Sequence, residues 1–277
     1  MKKIITILFA TLFISLTAFV SNSYASEIDA SSYSQKKEVI MANDFSNASN
    51  SQIITNLSFY KKQILNLTDE EFDRFMYNVV KDNQNNLDEV KANLELVGVT
   101  LNIDNKGADV GIEPAAIKPS QMTLTAYSTK KLGDSFWRLN TSWTTNGVSE
   151  VYASTIDVVS IEWNANDGTY YDAAVPGSPV SKRDGSKSSS GVYLFNVEDD
   201  KLNFDSYATV YINKKTNNAL SYGTKYIHTY STVSTTVGGS ASVNYEKGNI
   251  TGGLSFDVSI STNQQKWSVW DDNVLYW

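Results

Sequence analysis

The 277-residue chain contains one histidine, His228, and no cysteine. Without thiols there are no disulfides, thiolate zinc sites, iron–sulfur clusters or cysteine nucleophiles. A single imidazole excludes a multi-histidine metal centre within one chain. His228 lies in Tyr226-Ile227-His228-Thr229-Tyr230. Strand alternation puts Tyr226, His228 and Tyr230 on one face, a setting that favours a structural, hydrogen-bonded histidine over a general base. No G-x-S-x-G elbow supplies a serine partner, and Ser128 with Lys131 matches S-x-x-K only by letter, at the end of an expected strand. Asp157 and Glu162 share another expected strand, but their odd separation sends them to opposite faces, so they do not form a hydrolytic carboxylate pair. Glu198-Asp199-Asp200 and Asp271-Asp272-Asn273 offer the oxygen atoms calcium requires, without the spacing of a known calcium loop. No P-loop or dinucleotide fingerprint occurs. No enzymatic chemistry and no cofactor are expected.

Two groups of residues suggest contact instead of catalysis. In NITGGLSFDVSIST, Leu254, Phe256, Val258 and Ile260 alternate with Ser255, Asp257, Ser259 and Ser261. A hairpin with this pattern suits either a half-buried sheet or a strand facing lipid on one side and water on the other. Trp163 with Tyr170 and Tyr171, or Trp267 with Trp270, would make an aromatic platform for stacking on sugar rings. Buried core aromatics are the competing reading of each.

The elements that must carry these residues follow an export leader. Lys2 and Lys3 precede an uncharged apolar run from Ile4 to Val20, and Ser23-Tyr24-Ala25 then presents small residues where a signal peptidase reads. Cleavage between Ala25 and Ser26 is expected. It removes Lys2 and Lys3 and takes the formal charge from −7 to −9. An acidic chain of this kind is not drawn to nucleic acid through phosphate neutralisation. Release into the medium of a Gram-positive host is the expected localisation.

Residues 26–50 form a Ser/Asn-rich polar lead, and a helical region follows over 51–103. Ile53, Leu57, Tyr60 and Ile64 recur at helical spacing. Thr68 and Glu71 make a capping box, with Leu67 and Phe72 as a hydrophobic staple. Phe72, Phe75, Met76, Val79 and Val80 then form one stripe. Asn86 with Glu89 repeats the box motif, and Leu87, Val90, Leu94 and Val97 form a third stripe that ends at Gly98. Val99, Leu101 and Ile103 alternate as a short strand. Residues 104–120, with Gly107, Gly111, Pro114 and Pro119, read as a linker, making the helical region separable. From 121 to 277 the period is two, and all six tryptophans lie there. The segment from Pro176 to Gly191 reads as an exposed polar loop. The fold class expected is α+β: a small N-terminal helical bundle followed by a mainly antiparallel β-sandwich.

The leader, the capped LTDEEFDRFMYNVV helix and a cysteine-free β half carrying FWRLNTSW, TIDVVSIEW and YIHTY resemble secreted proteins of bacilli, among them the large bacteriocins of the geobacillin kind. The resemblance covers nearly all of the chain after the leader. It implies a secreted antibacterial protein acting without enzymatic chemistry on the envelope of related Gram-positive bacteria, with membrane contact and an oligomer on the target surface. No residue role is carried over. The alternative is a secreted module that binds cell-wall or other glycans.

Overall fold

In the computed structural model the residues described are 30–104, 109–110, 118–145, 156–199, 205–231, 242–245, 256–259 and 264–277. Five helices come first: α1 (Ala30–Asn47), α2 (Asn50–Thr55), α3 (Leu57–Leu65), α4 (Asp69–Asp82) and α5 (Leu87–Leu96). The box at α4 is formed as the sequence implies: Glu71 N donates to Thr68 Oγ1 at 3.3 Å, and Thr68 N donates to Glu71 Oε2 at 2.8 Å. Phe72, Phe75, Met76, Val79 and Val80 are fully buried, each large side chain contributing about 1.5–3 kcal/mol of transfer free energy.

Three local readings are corrected. The polar lead is mostly helix: α1 inserts Ala42 and Phe45 into the helical core and pairs buried Glu38 with Arg74 at 2.9 Å. Its Ser/Asn-rich composition hides a helix held by tertiary contacts. The single stripe from Ile53 to Ile64 is broken at Asn56 into α2 and α3. Asn86 caps no backbone group, its amide donating to the Glu89 carboxylate at 2.8 Å instead.

The strands are β1 (Val99–Ile103), β2 (Asp109–Val110), β3 (Thr123–Lys131), β4 (Trp137–Thr144), β5 (Asp157–Trp163), β6 (Gly168–Ala174), β7 (Val180–Lys182), β8 (Val192–Val197), β9 (Ser206–Lys214), β10 (Leu220–Ser231), β11 (Ser242–Tyr245), β12 (Phe256–Ser259) and β13 (Gln264–Leu275). Sheet one runs β1-β3-β4-β9-β6 and sheet two runs β2-β13-β10-β5-β8-β7, with every pairing antiparallel. Between them lies a core built by strict alternation: Trp137, Leu139 and Trp143 from β4, Val210 and Ile212 from β9, Tyr222 and Tyr226 from β10, and Trp267 and Val269 from β13. This is a β-sandwich with helices added on one side.

The central strands of sheet one, β3, β4 and β9, are buried on both faces over most of their length. Their outer positions, including Tyr127, Arg138, Asn140 and Tyr211, face the helices, and Tyr127 belongs to the helical core with Val99 and Leu101. The linker boundary therefore does not divide the packing. β1 is an edge strand of sheet one, and β2, inside the expected linker, pairs Val110 with Val269 of β13. The expected loop at 176–191 likewise carries β7, which pairs with β8. At Gly191 (φ +80°) a Cβ would lie 2.0 Å from the Trp163 carbonyl oxygen, so this turn admits only glycine.

Candidate aromatic cleft

β6 positions the candidate site through a β-bulge. Tyr170 pairs with Ile212 and Asp172 with Tyr211, leaving Tyr171 as the extra residue. Tyr170 turns into the sandwich, stacking on Tyr193 at 5.4 Å and lying 6.4 Å from Trp163. Tyr171 turns outward and is 59% exposed. Its ring stacks on Phe136 at 5.3 Å, and Phe136 stacks on Tyr211 at 4.9 Å. The exposed tyrosine is thus the outer rung of a three-ring ladder rooted in sheet one.

Beside the ladder is a cleft of about 300 Å³, lined by Asp69, Glu70, Asp172, Val175, Lys182 and Tyr211 among others. Asp69 and Glu70 come from the first turn of α4, where acidic groups complement the helix dipole. Lys182 of β7 reaches Asp172 of β6 at 3.5 Å, bridging the edges of the two sheets; both side chains are about half exposed, so the pair adds little stability. The cleft therefore offers an aromatic surface, carboxylate acceptors and an ammonium donor on a rigid frame.

Arg138 forms the frame behind it. The buried guanidinium pairs with Asp69 at 2.5 Å, with Asp73 at 3.0 Å and with Asp134. It also lies 4.7 Å from the Phe72 and Phe136 ring centres and 5.4 Å from that of Tyr211. Tyr211 donates its hydroxyl to Asp73 at 2.6 Å. Burial pushes the Asp73 carboxyl up to about 7, against the opposing pull of Arg138 and Tyr211. Burial and the neighbouring Asp73 push the Tyr211 phenol well above its ordinary range.

The structure redistributes the other sequence candidates. Trp163 is buried at 1% exposure, so it backs Tyr170 inside the sandwich and is no part of a surface platform. Trp267 and Trp270 stand on opposite faces of β13, Trp267 in the core and Trp270 half-buried on the outer face, because three residues along a strand reverse the side-chain direction. Of the proposed platforms only Tyr171 is left in the open. Ala25, Ser26, Leu254 and Ile260 lie outside the described residues. Phe256 and Val258 are placed by backbone in β12, which pairs with β11 as a two-stranded sheet of its own.

His228 has the structural role its strand pattern implies. It is fully buried, its Nδ1 is 2.8 Å from Asp157 Oδ2, and its ring lies between Tyr230 and Trp267. Asp157 also accepts from the Tyr226 hydroxyl at 2.6 Å and from Thr229 N at 2.8 Å. Asp199 joins at 3.8 Å, giving three ligand-type groups in one place. Asp157 is thus fully buried and in contact with three polar groups at once. Asp157 and Glu162 do point apart, and Ser128 and Lys131 occupy opposite faces of β3.

Phe136, Tyr211, Asp172 and Lys182 were not singled out in the sequence. The available signal was Tyr207 and Tyr211 on one face of a strand whose other face is Ala208, Val210 and Ile212. That pattern marks a sheet covered on both sides, with aromatic rings available to a second layer.

No family model and no curated protein matches the chain. Among solved structures it is similar to a cohesin module from a Clostridium perfringens family 33 glycoside hydrolase, at 8% identity over 32% of this chain and 70% of that one, with a TM-score of 0.25. It is also similar to the C-terminal domain of the Streptococcus agalactiae polypeptide BspA, at 8% identity over 38% and 53% of the two chains and a TM-score of 0.27, so the match spans about half of that domain. A third is from a study of Streptococcus parasanguinis adhesion by Fap1 fimbriae, at 9% identity over 64% and 95%, with a TM-score of 0.31. The likeness is of loose architecture, and the reading of the cleft rests on its own geometry. No helix among the described residues is long and apolar enough to cross a membrane.

Proposed function

We propose that the chain is a secreted, non-enzymatic binding module of a Gram-positive bacterium that holds cell-wall or other glycans at the Tyr171 cleft. The observation that carries this reading is the exposed Tyr171 ring, stacked on Phe136, which in turn stacks on Tyr211 of the cleft that Asp172 and Lys182 line. An aromatic ring already ordered by its neighbours loses little freedom on binding, and carboxylate and ammonium groups at its rim supply directional bonds to sugar hydroxyls. The deep burial of His228, the chain's one imidazole, supports binding over acid–base chemistry.

Co-sedimentation of the secreted chain with purified Gram-positive walls tests the proposal. Tyr171→Ala should weaken wall binding about tenfold, the loss of one good aromatic contact, while leaving the melting temperature nearly unchanged. Equal binding by wild type and variant would remove the cleft from the function. Antibacterial action at the envelope is the second reading, favoured by the separate β11–β12 hairpin. Dye release from anionic vesicles would support it, and intact vesicles at concentrations that saturate walls would exclude it.

A further inference from the structure

α4 covers the middle of sheet one's outer face, and the Tyr171 cleft lies at its N-terminal end. Beyond its C-terminal end the sheet forms a second recess of about 390 Å³, lined by Thr123, Thr125, Ser142, Thr144, Lys81, Gln84 and Asp205. The four hydroxyl residues are two cross-strand pairs, Thr123 with Thr144 and Thr125 with Ser142, on the face that carries Tyr127 and Arg138 further along.

The recess has polar groups that the fold leaves unused. Thr125 is 8% exposed and Ser142 is 4% exposed. Neither side chain is bonded to another described residue, although both line the recess. Neither hydroxyl is among the fully enclosed polar atoms of the described residues, so both open onto the recess, where a ligand can meet them. Lys81 lies 3.3 Å from Asp205, which also accepts from the Thr145 backbone N at 2.8 Å, so the one cation and the one anion offset each other.

This lining selects by chemistry. Hydroxyls both donate and accept, so they suit a ligand that alternates donors and acceptors over its surface. An apolar ligand would strand the hydroxyls, and a phosphate would meet the Asp205 carboxylate. We propose that the recess is a separate saccharide site taking an uncharged sugar residue, with Thr125 and Ser142 as its buried contacts and Gln84 at its rim. The site is independent of the Tyr171 cleft and stands whether or not that cleft binds walls.

Calorimetric titration of the secreted chain with tri-N-acetylchitotriose, an uncharged sugar oligomer, tests this. Saturable binding is expected, weakened about tenfold by the double variant Thr125→Val with Ser142→Ala, since each lost hydrogen bond is worth a few-fold in affinity. Tyr171→Ala should retain this double-variant-sensitive binding. Should the double variant fail to fold by circular dichroism, Gln84→Ala at the exposed helix end must weaken binding about threefold on its own. No binding by wild type, undiminished binding by the folded variants, or displacement of the sugar by inorganic phosphate would each overturn the proposal.

Discussion

Two buried polar clusters hold the fold, one where α4 meets sheet one and one between neighbouring strands of sheet two, and they differ in kind. Between α4 and sheet one, Arg138 is a permanent cation shared by Asp69, Asp73 and Asp134 and enclosed by Phe72, Phe136 and Tyr211. Within sheet two, Asp157 of β5 gathers Tyr226, His228 and Thr229 N of β10, so there a carboxyl group is the hub and its partners are a phenol, an imidazole and a backbone amide. The first cluster joins layers from distant parts of the chain. The second sits just past the last rung of the β5–β10 ladder, where Thr229 N has lost its strand partner on that side and takes the Asp157 carboxylate instead. Burying a charge stabilises a fold only when its partners are complete, so both clusters are costly to break singly. The cation hub ties helices to sheet and supports the Tyr171 ladder; the Asp157 cluster ties β5 to β10.

Removing each hub tests this contrast. Arg138→Met should have the largest effect, about 3–5 kcal/mol of lost stability, because it leaves Asp73 buried without its cation. Chemical denaturation measures the loss, and the helical layer should open first, seen as new proteolytic cuts between residues 66 and 98. A variant as stable as wild type would show that the aromatic enclosure alone holds the layer. Asp157→Asn should cost less, about 2–3 kcal/mol, since the amide still accepts one bond while Tyr226, His228 and Thr229 compete for it. Its loss should appear as weaker packing of the sandwich, read from the tryptophan fluorescence, which arises wholly in the β half, with helical circular dichroism retained. Simultaneous loss of both signals would mean the two interfaces unfold as one unit.

Legibility followed the range of the interactions. α4 was readable from Thr68 to Asp82 because its cap, staple and stripe all lie within fifteen consecutive residues. The strands of the β half were readable from their alternation, and so was the buried role of His228 between Tyr226 and Tyr230. α1 was not, because Glu38 and Phe45 are stabilised by Arg74 and Phe75, thirty or more residues away. The cleft was legible only in part. Tyr171 stood out as one of two adjacent tyrosines, but the bulge that turns it outward is a property of its pairing with β9. Arg138 was invisible as a hub, since Asp69, Asp73 and Tyr211 meet it only across two elements.

The smallest effect expected separates the clusters by pH. Asp73 in the folded chain is pushed up to about 7 by burial, from an ordinary carboxylate value of 3.8. Between those values the folded state holds a proton that the unfolded chain has released. Stability from this group is therefore fully present below about pH 4 and is lost as pH rises through 7. The melting temperature should rise between pH 8 and pH 5, by about 2–4 °C if the group contributes ~1 kcal/mol in a domain of this size. Asp73→Asn, which cannot ionise, should flatten that rise. Histidine is the other side chain that ordinarily titrates near neutrality, so His228→Gln is the matching variant for the sandwich cluster. If Asp73→Asn keeps the full slope and His228→Gln abolishes it, the pH response belongs to the Asp157 cluster, and the helix–sheet interface is then held as an ion pair at all these pH values.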